Sequence, residues 1–452
     1  MSAVLEKMNQ FVWGIPALVL ILGVGIYLSI RTGFIQFRLL PRACKIFWKR
    51  FTKQESHEEG ISPYRALCTA LAATVGTGNL AGVAGAISIG GPGAIFWMWI
   101  CAFLGMVTKF AEATLAIHYR KRNANGEWVG GPMHMITYGM GNRWTWLASV
   151  YCFFGVVAAF GVGNATQINA VVGGVNSILL SINGQAGTHI NLVVGIVFAI
   201  LILFVCLGGA TKIGQISEML VPFASVFYIL LGIIFLAFRV SVLPKAFSMI
   251  IQGAFDPAAL TGGVVGSMFQ VLRVGASRGV FTNEAGMGTA SIAHASANVK
   301  HPVEQGFMGI MEVFIDTIVI CTMTALVILC SGVVIPYGED VGIMLTTDAF
   351  ASVFGSWVHI PITIALCCFA FATILGWGLY GARCAQFLFG ENVWKYFVLI
   401  QAVTVIAGAV LKTKTVWLLA ETVNGLMAIP NLIALAALSP ELIRMVKEYK
   451  GK

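Results

Sequence analysis

Long apolar runs recur along the whole chain, and they limit what it can fold into. A helix needs about 20 mostly apolar residues to cross a bilayer. About eleven stretches meet this requirement: 11–30, 65–90, 93–118, 145–180, 190–210, 218–238, 262–297, 306–335, 358–389, 395–411 and 415–438. Only 10% of the 452 residues are charged, against about 25% in soluble domains. The sequence therefore predicts an all-α polytopic membrane protein with about 11 transmembrane helices.

Lys and Arg residues are unevenly distributed among the predicted loops, and cytoplasmic loops carry the excess. Seven lie in the loop 31–64, and three in a row begin the next basic loop at Arg120. The segment 336–357 contains acidic residues and neither Lys nor Arg. We therefore predict a multi-pass protein of the cell (inner) membrane with its N-terminus outside and its C-terminus in the cytoplasm. Lys412 and Lys414 are the one discordant pair.

Net charge and cysteine placement indicate which partners and which cysteine chemistry to expect. The net charge of +9 is explained by the basic loops, and no basic patch interleaved with aromatic residues indicates nucleic-acid binding. The 10 cysteines form no CxxC pair and lie mostly in apolar runs, where cysteine behaves as a small hydrophobic residue. We predict a lipid bilayer as partner, no nucleic acid, and neither disulfide nor metal-cysteine chemistry.

Two segments of the chain resemble each other at an offset of 210 residues. Gly76 and Gly78 correspond to Gly286 and Gly288, and a proline and a methionine further along correspond at the same offset. Each copy would contain five spans, and an odd number makes the two copies inverted. Inverted repeats with broken helices at equivalent positions are typical of secondary transporters.

The repeat gives a predicted division of the chain. It comprises an N-terminal transmembrane helix with a basic cytoplasmic loop (1–64), a first five-helix repeat (65–240), a second five-helix repeat (241–438) and a cytoplasmic tail (439–452).

The first candidate break is the run 72–79, which places two glycines, two threonines and an asparagine in the middle of a span. Unwinding there would free amide groups that suit a carboxylate and carbonyl groups that suit a cation. Irregular backbone at this depth is tolerated where it is buried or lines a cavity. Helix packing through Gly78 and Gly82 is the alternative, although packing alone does not require Thr77 and Asn79.

The second candidate break is the run 283–289, whose carbonyl groups could receive an ammonium group. Glu284 is an intramembrane carboxylate, a residue type that usually marks function. It either contacts the substrate or forms a gate or structural ion pair with Arg278 or Arg273, and the ion pair is the favoured interpretation.

A third element lies in the ninth span. Thr373 supplies a hydroxyl among small residues, and hard cations prefer oxygen ligands. The alternative is that Thr373 bonds back to its own helix. Gln167 in the fourth span is similar, since its amide either joins helices or contacts the substrate.

Several other ionisable residues fall within spans. Lys109 and Glu112 are three residues apart on one helix face, so we predict a structural pair. Glu312 and Asp316 also share a face, as a proton relay or, preferably, a gate network. His294 lies alone among small residues and is predicted to be structural.

The run from Gly90 to Trp99, GGPGAIFWMW, and its continuation to Gly105 match the signature of a known family. On these residues the chain resembles the sodium:alanine symporter family, also called the alanine or glycine:cation symporters. Further segments that look like this family are 76–79, 130–133, 278–281, 283–286 and 428–431. The resemblance covers nearly the whole chain.

The resemblance implies a leucine-transporter-type fold, with two inverted five-helix repeats after one extra N-terminal helix. It also implies cotransport of alanine or glycine with a cation, usually Na⁺. By resemblance, Thr77 and Gly78 bind the substrate carboxylate, and Gln167 and Trp377 line the pocket. With the residues of the two breaks, the predicted substrate-binding set is Thr77, Gly78, Asn79, Gln167, Gly286, Met287, Thr373 and Trp377. The predicted sodium set, again by resemblance, is Ala72, Val75 and Thr373.

The resulting prediction is a sodium-coupled symporter of small neutral amino acids that works by alternating access. The alternative within the same fold is a proton-coupled amino-acid carrier using Glu284, Glu312, Asp316 and His294. A membrane enzyme is not predicted, because no nucleophile–base or metal constellation converges in the sequence. An ion channel is disfavoured because the two halves are asymmetric and inverted.

Overall fold

The structure is a computed structural model, and it describes residues 7–9, 11–52, 61–182, 187–339, 341–411 and 413–450. Nearly all of these residues are helical. The one sheet among them is an antiparallel hairpin of β1 (Lys121–Arg122) and β2 (Trp128–Val129). Asp340, Lys412 and the segment 53–60 of the basic loop lie outside the described residues.

Besides a π-helical segment at Met135–Met140 and a 3₁₀ turn at Val240–Val242, the described chain contains twenty numbered helices. They are α1 (Ile15–Thr32), α2 (Ile35–Arg38), α3 (Leu40–Thr52), α4 (Pro63–Thr74), α5 (Gly78–Gly90), α6 (Ala94–His118), α7 (Pro132–His134), α8 (Asn142–Leu180), α9 (Thr188–Cys206), α10 (Gly209–Phe238), α11 (Leu243–Phe255), α12 (Pro257–Thr261), α13 (Met268–Asn283), α14 (Thr289–His294), α15 (Pro302–Ser331), α16 (Met344–Phe354), α17 (Ser356–Phe389), α18 (Glu391–Val410), α19 (Thr413–Ala437) and α20 (Ser439–Lys450).

Eight of the described helices are long and apolar enough to cross a membrane, and the α4–α5 pair, bent by 50°, would make a ninth. A count of eleven also requires α1 and the α13–α14 pair. The predicted class of an all-α, multi-pass membrane protein is confirmed, whereas the number eleven stays a prediction.

The two broken helices lie at the centre of the molecule. Every described residue of α4 except Arg65, and every residue of α14, is buried. α6 packs along α13 and α15, while α17 packs against α4, α8 and α10. By contrast, α9 and α10 expose large apolar side chains on their outer faces, as lipid-facing helices do. The polar breaks are therefore enclosed by protein, as irregular backbone within a bilayer must be.

Both breaks lie where the sequence predicts them. α4 ends at Thr74 and α5 begins at Gly78. α13 ends at Asn283 with Glu284, Gly286 and Gly288 all at positive φ, and α14 then begins. Glycine reaches this left-handed conformation without penalty. The division of the chain at 64, 240 and 438 stays a prediction.

Candidate functional site

The break between α4 and α5 is held open by two side-chain oxygens. Gly76 donates its N–H to Asn79 Oδ1 at 2.8 Å, and Thr77 donates its N–H to Gln167 Oε1 at 3.2 Å. In a continuous α-helix the Gly76 N–H would bond to the carbonyl of Ala72 instead. The break therefore turns the Ala72 carbonyl into an available acceptor.

The Thr373 hydroxyl of α17 reaches the same break. Its Oγ1 lies 3.5 Å from the Val75 carbonyl oxygen. A Cβ atom on Gly76 would overlap that hydroxyl and would lie 3.1 Å from Gln167 Oε1. Glycine at position 76 thus lets oxygens from three helices converge. Neutral oxygens in this arrangement suit a hard cation.

The side chain of Thr77, unlike those of Asn79, Gln167 and Thr373 at the same break, has no hydrogen-bond partner. Its Oγ1 is fully buried and makes no hydrogen bond. A buried hydroxyl that lacks a partner costs about 1–3 kcal/mol. An unsatisfied hydroxyl beside an opened backbone is therefore typical of a site that completes its hydrogen bonds with a ligand.

Gly78 and Asn79 are engaged with protein groups instead. A Cβ atom on Gly78 would lie 2.8 Å from Thr282 Cγ2, so this glycine lets α5 approach the end of α13. The Asn79 amide donates to Asp316 Oδ1 at 2.7 Å and to the Asp316 carbonyl at 3.1 Å. In this conformation Gly78 lets the two broken helices meet, and Asn79 ties the first break to α15.

Trp377 lies one helical turn beyond Thr373 and is fully buried. A Cβ atom on Gly163 of α8 would overlap the Trp377 side chain, so the indole fits against a glycine. Its ring meets Tyr380 edge-on, with centroids 5.9 Å apart. The indole therefore packs between α8 and Tyr380, one helical turn from Thr373.

The second break surrounds a carboxylate that the protein itself supplies. Gly286 and Gly288 both donate N–H groups to Glu112 Oε1 at 3.0 Å, and Asn431 Nδ2 donates to the same oxygen at 2.8 Å. Asn431 also donates to the Gly286 carbonyl at 2.9 Å. The N–H and the carbonyl of Gly286 are thus both hydrogen-bonded to side chains of the protein. Met287, between the two glycines, is fully buried.

The favoured interpretation of Glu284, an ion pair with a nearby arginine, is wrong. Thr289 Oγ1 donates to Glu284 Oε2 at 2.5 Å. Arg278 instead lies 3.1 Å from Glu421 Oε1 of α19. The left-handed backbone at Glu284 turns its side chain toward the start of α14, whereas Arg278 lies more than one turn earlier in α13.

The predicted pair of Lys109 with Glu112 is also wrong. Lys109 Nζ binds Glu312 Oε1 at 2.9 Å, and His294 Nε2 lies 3.0 Å from Glu312 Oε2. A Cβ atom on Gly309 would lie 2.7 Å from the Lys109 carbonyl oxygen. Because α6 and α15 approach this closely, the partner from the neighbouring helix is favoured. His294 therefore belongs to a buried charged network.

The two ends of the molecule differ. On the side predicted to be external, Arg278 and Glu421 close the space between α13 and α19, and Trp13 Nε1 donates to the Glu421 carbonyl at 2.8 Å. On the opposite side, a cavity of about 410 Å³ opens between α4, α10, α17 and the β-hairpin. Its lining includes Thr69 and Thr211.

An ion pair bridges the mouth of that cavity. Arg383 of α17 lies 2.7 Å from Glu127 of the hairpin. Partial burial raises the pKa of Glu127, but the hydrogen bond and charge of Arg383 outweigh it and hold that pKa below its usual range. Glu127 thus stays ionised at neutral pH, and the hairpin stays docked.

Comparison with known protein families shows to which class of protein this arrangement of broken helices belongs. The profile of the sodium:alanine symporter family matches residues 1–452. The chain belongs to this family. Its members are transporters, so the prediction of a transporter and not an enzyme is confirmed. The chain is a cation-coupled amino-acid symporter.

Relatives in the symporter family match over almost their whole length. The sodium/alanine symporter AgcS of Methanococcus maripaludis is 42% identical over 451 residues, covering 99% of this chain and 97% of that protein. The probable sodium/glutamine symporter GlnT of Bacillus subtilis is 35% identical over 446 residues, covering 98% and 89%.

A solved structure supports the fold. The crystal structure of MhsT in complex with L-phenylalanine aligns with a TM-score of 0.58 at 16% identity, covering 86% of this chain and 99% of that one. The predicted leucine-transporter-type fold of this symporter is confirmed.

Sequence reasoning missed the groups that stabilise the symporter's breaks. The sequence pattern pairs Glu112 with Lys109 on its own helix, and it predicts no individual role for Asn431 or Glu421. Each is a polar side chain within a span, and such residues usually face a partner in the bundle interior. That signal marks the residues, but their partners are far away in sequence, as with Glu112 and Gly286.

Proposed function

We propose that this protein is a sodium-coupled symporter of small neutral amino acids, alanine and glycine, that works by alternating access. The observation that carries the proposal is the convergence of Val75, Thr373 and Gln167 on the break at Gly76. A backbone carbonyl, a hydroxyl and an amide oxygen meet there within one buried space.

Sodium would bind at the α17 side of this break. The Ala72 and Val75 carbonyls and the Thr373 hydroxyl are its proposed ligands. They belong to α4 and α17, so an ion shared between them would hold these two helices together. A conformational preference that depends on the ion is what couples its gradient to the substrate.

The amino-acid carboxylate would bind at the α5 side. The N–H of Thr77 now donates to Gln167 Oε1, an acceptor oxygen that a substrate carboxylate would replace. The unpartnered Thr77 hydroxyl lies on the same residue. Gly78 and Asn79 would shape this end of the site, and Gly286 and Met287 the end at the second break.

A closed external side and an open opposite cavity support alternating access. With the Arg278–Glu421 pair closed, the cavity that Thr69 and Thr211 line reaches to within about one helical turn of Ala72 along α4. Under the predicted orientation, with the C-terminus in the cytoplasm, this is an inward-facing arrangement. One charge moving through 100 mV contributes about 2.3 kcal/mol, before any sodium concentration gradient is counted.

Proton coupling is the second candidate, and one observation favours it. The buried carboxylates Glu112, Glu284, Glu312 and Asp316 surround a single buried lysine, Lys109. Uncompensated buried charge is costly, so a proton on one of these groups would stabilise the cluster.

Uptake of labelled alanine into proteoliposomes separates the two candidates. We expect uptake driven by an inward sodium gradient at equal pH on both sides. A pH gradient without sodium should drive no accumulation. The opposite pattern would replace sodium coupling with proton coupling, and no alanine uptake under either gradient would refute the substrate assignment.

A further inference from the structure

One continuous chain of hydrogen bonds runs between the two broken helices. It starts at the first break, where Gly76 donates to Asn79 Oδ1 at 2.8 Å, and Asn79 Nδ2 donates to Asp316 Oδ1 at 2.7 Å. Thr317 Oγ1 then donates to Asp316 Oδ2 at 2.7 Å. The two oxygens of one carboxylate are therefore bonded in different directions.

The chain continues to the second break. Asn283 Nδ2 donates to Thr317 Oγ1 at 3.1 Å, and the Ala285 N–H donates to Asn283 Oδ1 at 3.0 Å. The four linking side chains are at most 1% exposed, so water does not compete for these bonds. Hydrogen bonds in such a low-dielectric interior are strong and polarise one another.

The segment that carries the centre of this chain is irregular. Phe314–Cys321 of α15 is π-helical, and single π-turns within α-helices are often found at functional sites. The wider turn brings the side chains of the adjacent residues Asp316 and Thr317 into one chain. In a regular helix, neighbouring residues point about 100° apart.

We propose that Asp316 and Thr317 form a hydrogen-bonded relay that links the two breaks, so that sodium bound at the first break fixes the position of the second and changes the affinity for the substrate that lies between them. The inference rests on the proposed sodium-coupled function. These are positioning residues, because neither is among the proposed ligands. The relay gives a physical path by which bound sodium and bound amino acid affect each other. The size of that effect is the coupling free energy between the two ligands.

Thr317→Val is the main test, because valine keeps the shape of threonine and removes the hydroxyl. Alanine binding to the purified full-length protein is measured by calorimetry with and without sodium. The readout is the ratio of the two dissociation constants. A merely structural role would lower protein yield or melting temperature without changing this ratio.

Three further variants make the test specific. Thr317→Ser restores the hydroxyl and should keep the wild-type ratio. Thr322→Val removes a hydroxyl from the same helix that accepts from Trp99 and donates to the Thr317 carbonyl at 3.4 Å, but takes no part in the side-chain bonds of the relay, and it should also keep that ratio. Asp316→Ala interrupts the chain at a second point if Thr317→Val yields too little protein.

We expect the sodium-dependent ratio to fall about three- to tenfold in Thr317→Val and Asp316→Ala, the effect of losing one buried hydrogen bond. An unchanged ratio in either variant overturns the relay alone. Equal losses in Thr317→Val and Thr322→Val also overturn it. A wild-type protein whose alanine affinity ignores sodium overturns the proposed function as well.

Discussion

Thr373 provides one of the few side-chain oxygens at the first break, and a Thr373→Val variant tests its role. Valine preserves packing but removes the oxygen that lies 3.5 Å from the Val75 carbonyl. We expect the sodium concentration for half-maximal alanine uptake to rise about tenfold, consistent with the loss of one ligand-side interaction. Thr373→Ser is the matched control and should stay near wild type. An unchanged sodium dependence in Thr373→Val would remove this residue from the site.

Gly76 offers a sharper test than Gly78. Even alanine at position 78 would press on Thr282, so a defect there does not separate packing from substrate binding. A Cβ atom at position 76 points at the Thr373 hydroxyl and Gln167 instead. We expect Gly76→Ala to lose most sodium-dependent uptake while the protein still reaches the membrane.

The control for Gly76→Ala is Gly82→Ala, because a Cβ atom at position 82 meets nothing within 4 Å. Both changes add one methyl group to the same broken helix. Normal uptake by Gly76→Ala, or equal defects in both variants, would contradict the assignment of the oxygens around Gly76.

Trp377 is expected to set the size of the accepted amino acid. Its buried indole packs on Gly163 within one turn of Thr373, so glycine and alanine should compete for uptake and leucine should not. Trp377→Phe should allow valine and leucine to compete at about tenfold lower concentration, since one methylene is worth about 1–3 kcal/mol in an apolar pocket.

Competition assays against labelled alanine measure this size limit, with Trp99→Phe as control. The Trp99 indole bonds to Thr322 away from the breaks. Leucine or glutamine that competes with alanine in the wild type would show that the pocket is larger than proposed.

At the scale of elements, the second break depends on a carboxylate from α6. Three donors converge on Glu112 Oε1, and each buried donor left unpaired costs about 1–3 kcal/mol. Glu112→Leu should therefore lower the melting temperature in detergent strongly, by about 10 °C or more.

Glu112→Gln separates the hydrogen bonds from the charge. Its amide oxygen can still accept from Gly286 and Gly288, so its melting temperature should lie much nearer to wild type. Equal melting temperatures for the leucine and glutamine variants would show that Glu112 does not hold the break.

The elements also show what the sequence predicts and what it does not. Both breaks were predictable from glycines in mid-span, because Gly76, Gly286 and Gly288 occur where a helix cannot continue without cost. The partners of the polar side chains were not. Lys109 and Glu112 share a helix face, yet Lys109 bonds to α15 and Glu112 to the second break, and both partners are far away in sequence.

At the scale of the whole molecule, composition and the spacing of apolar runs were sufficient for the fold class. The membrane fixes helix length and requires each span to satisfy its own backbone, so few architectures remain. Span number is less well determined. α1 is short, and α13 and α14 are polar and broken, so hydropathy alone does not define them as spans. Orientation stays a prediction from the basic loops.

Coupling between the sodium flux and the alanine flux is tested most directly by measuring sodium movement that an alanine gradient drives. Proteoliposomes with equal labelled sodium on both sides, and with membrane potential clamped, receive an inward alanine gradient. At a sodium concentration near the half-maximal value of the wild type, we predict that labelled sodium accumulates inside transiently with the wild type and much less with Thr373→Val. Alanine entry without sodium accumulation, or accompanied by proton entry instead, would contradict sodium-coupled symport.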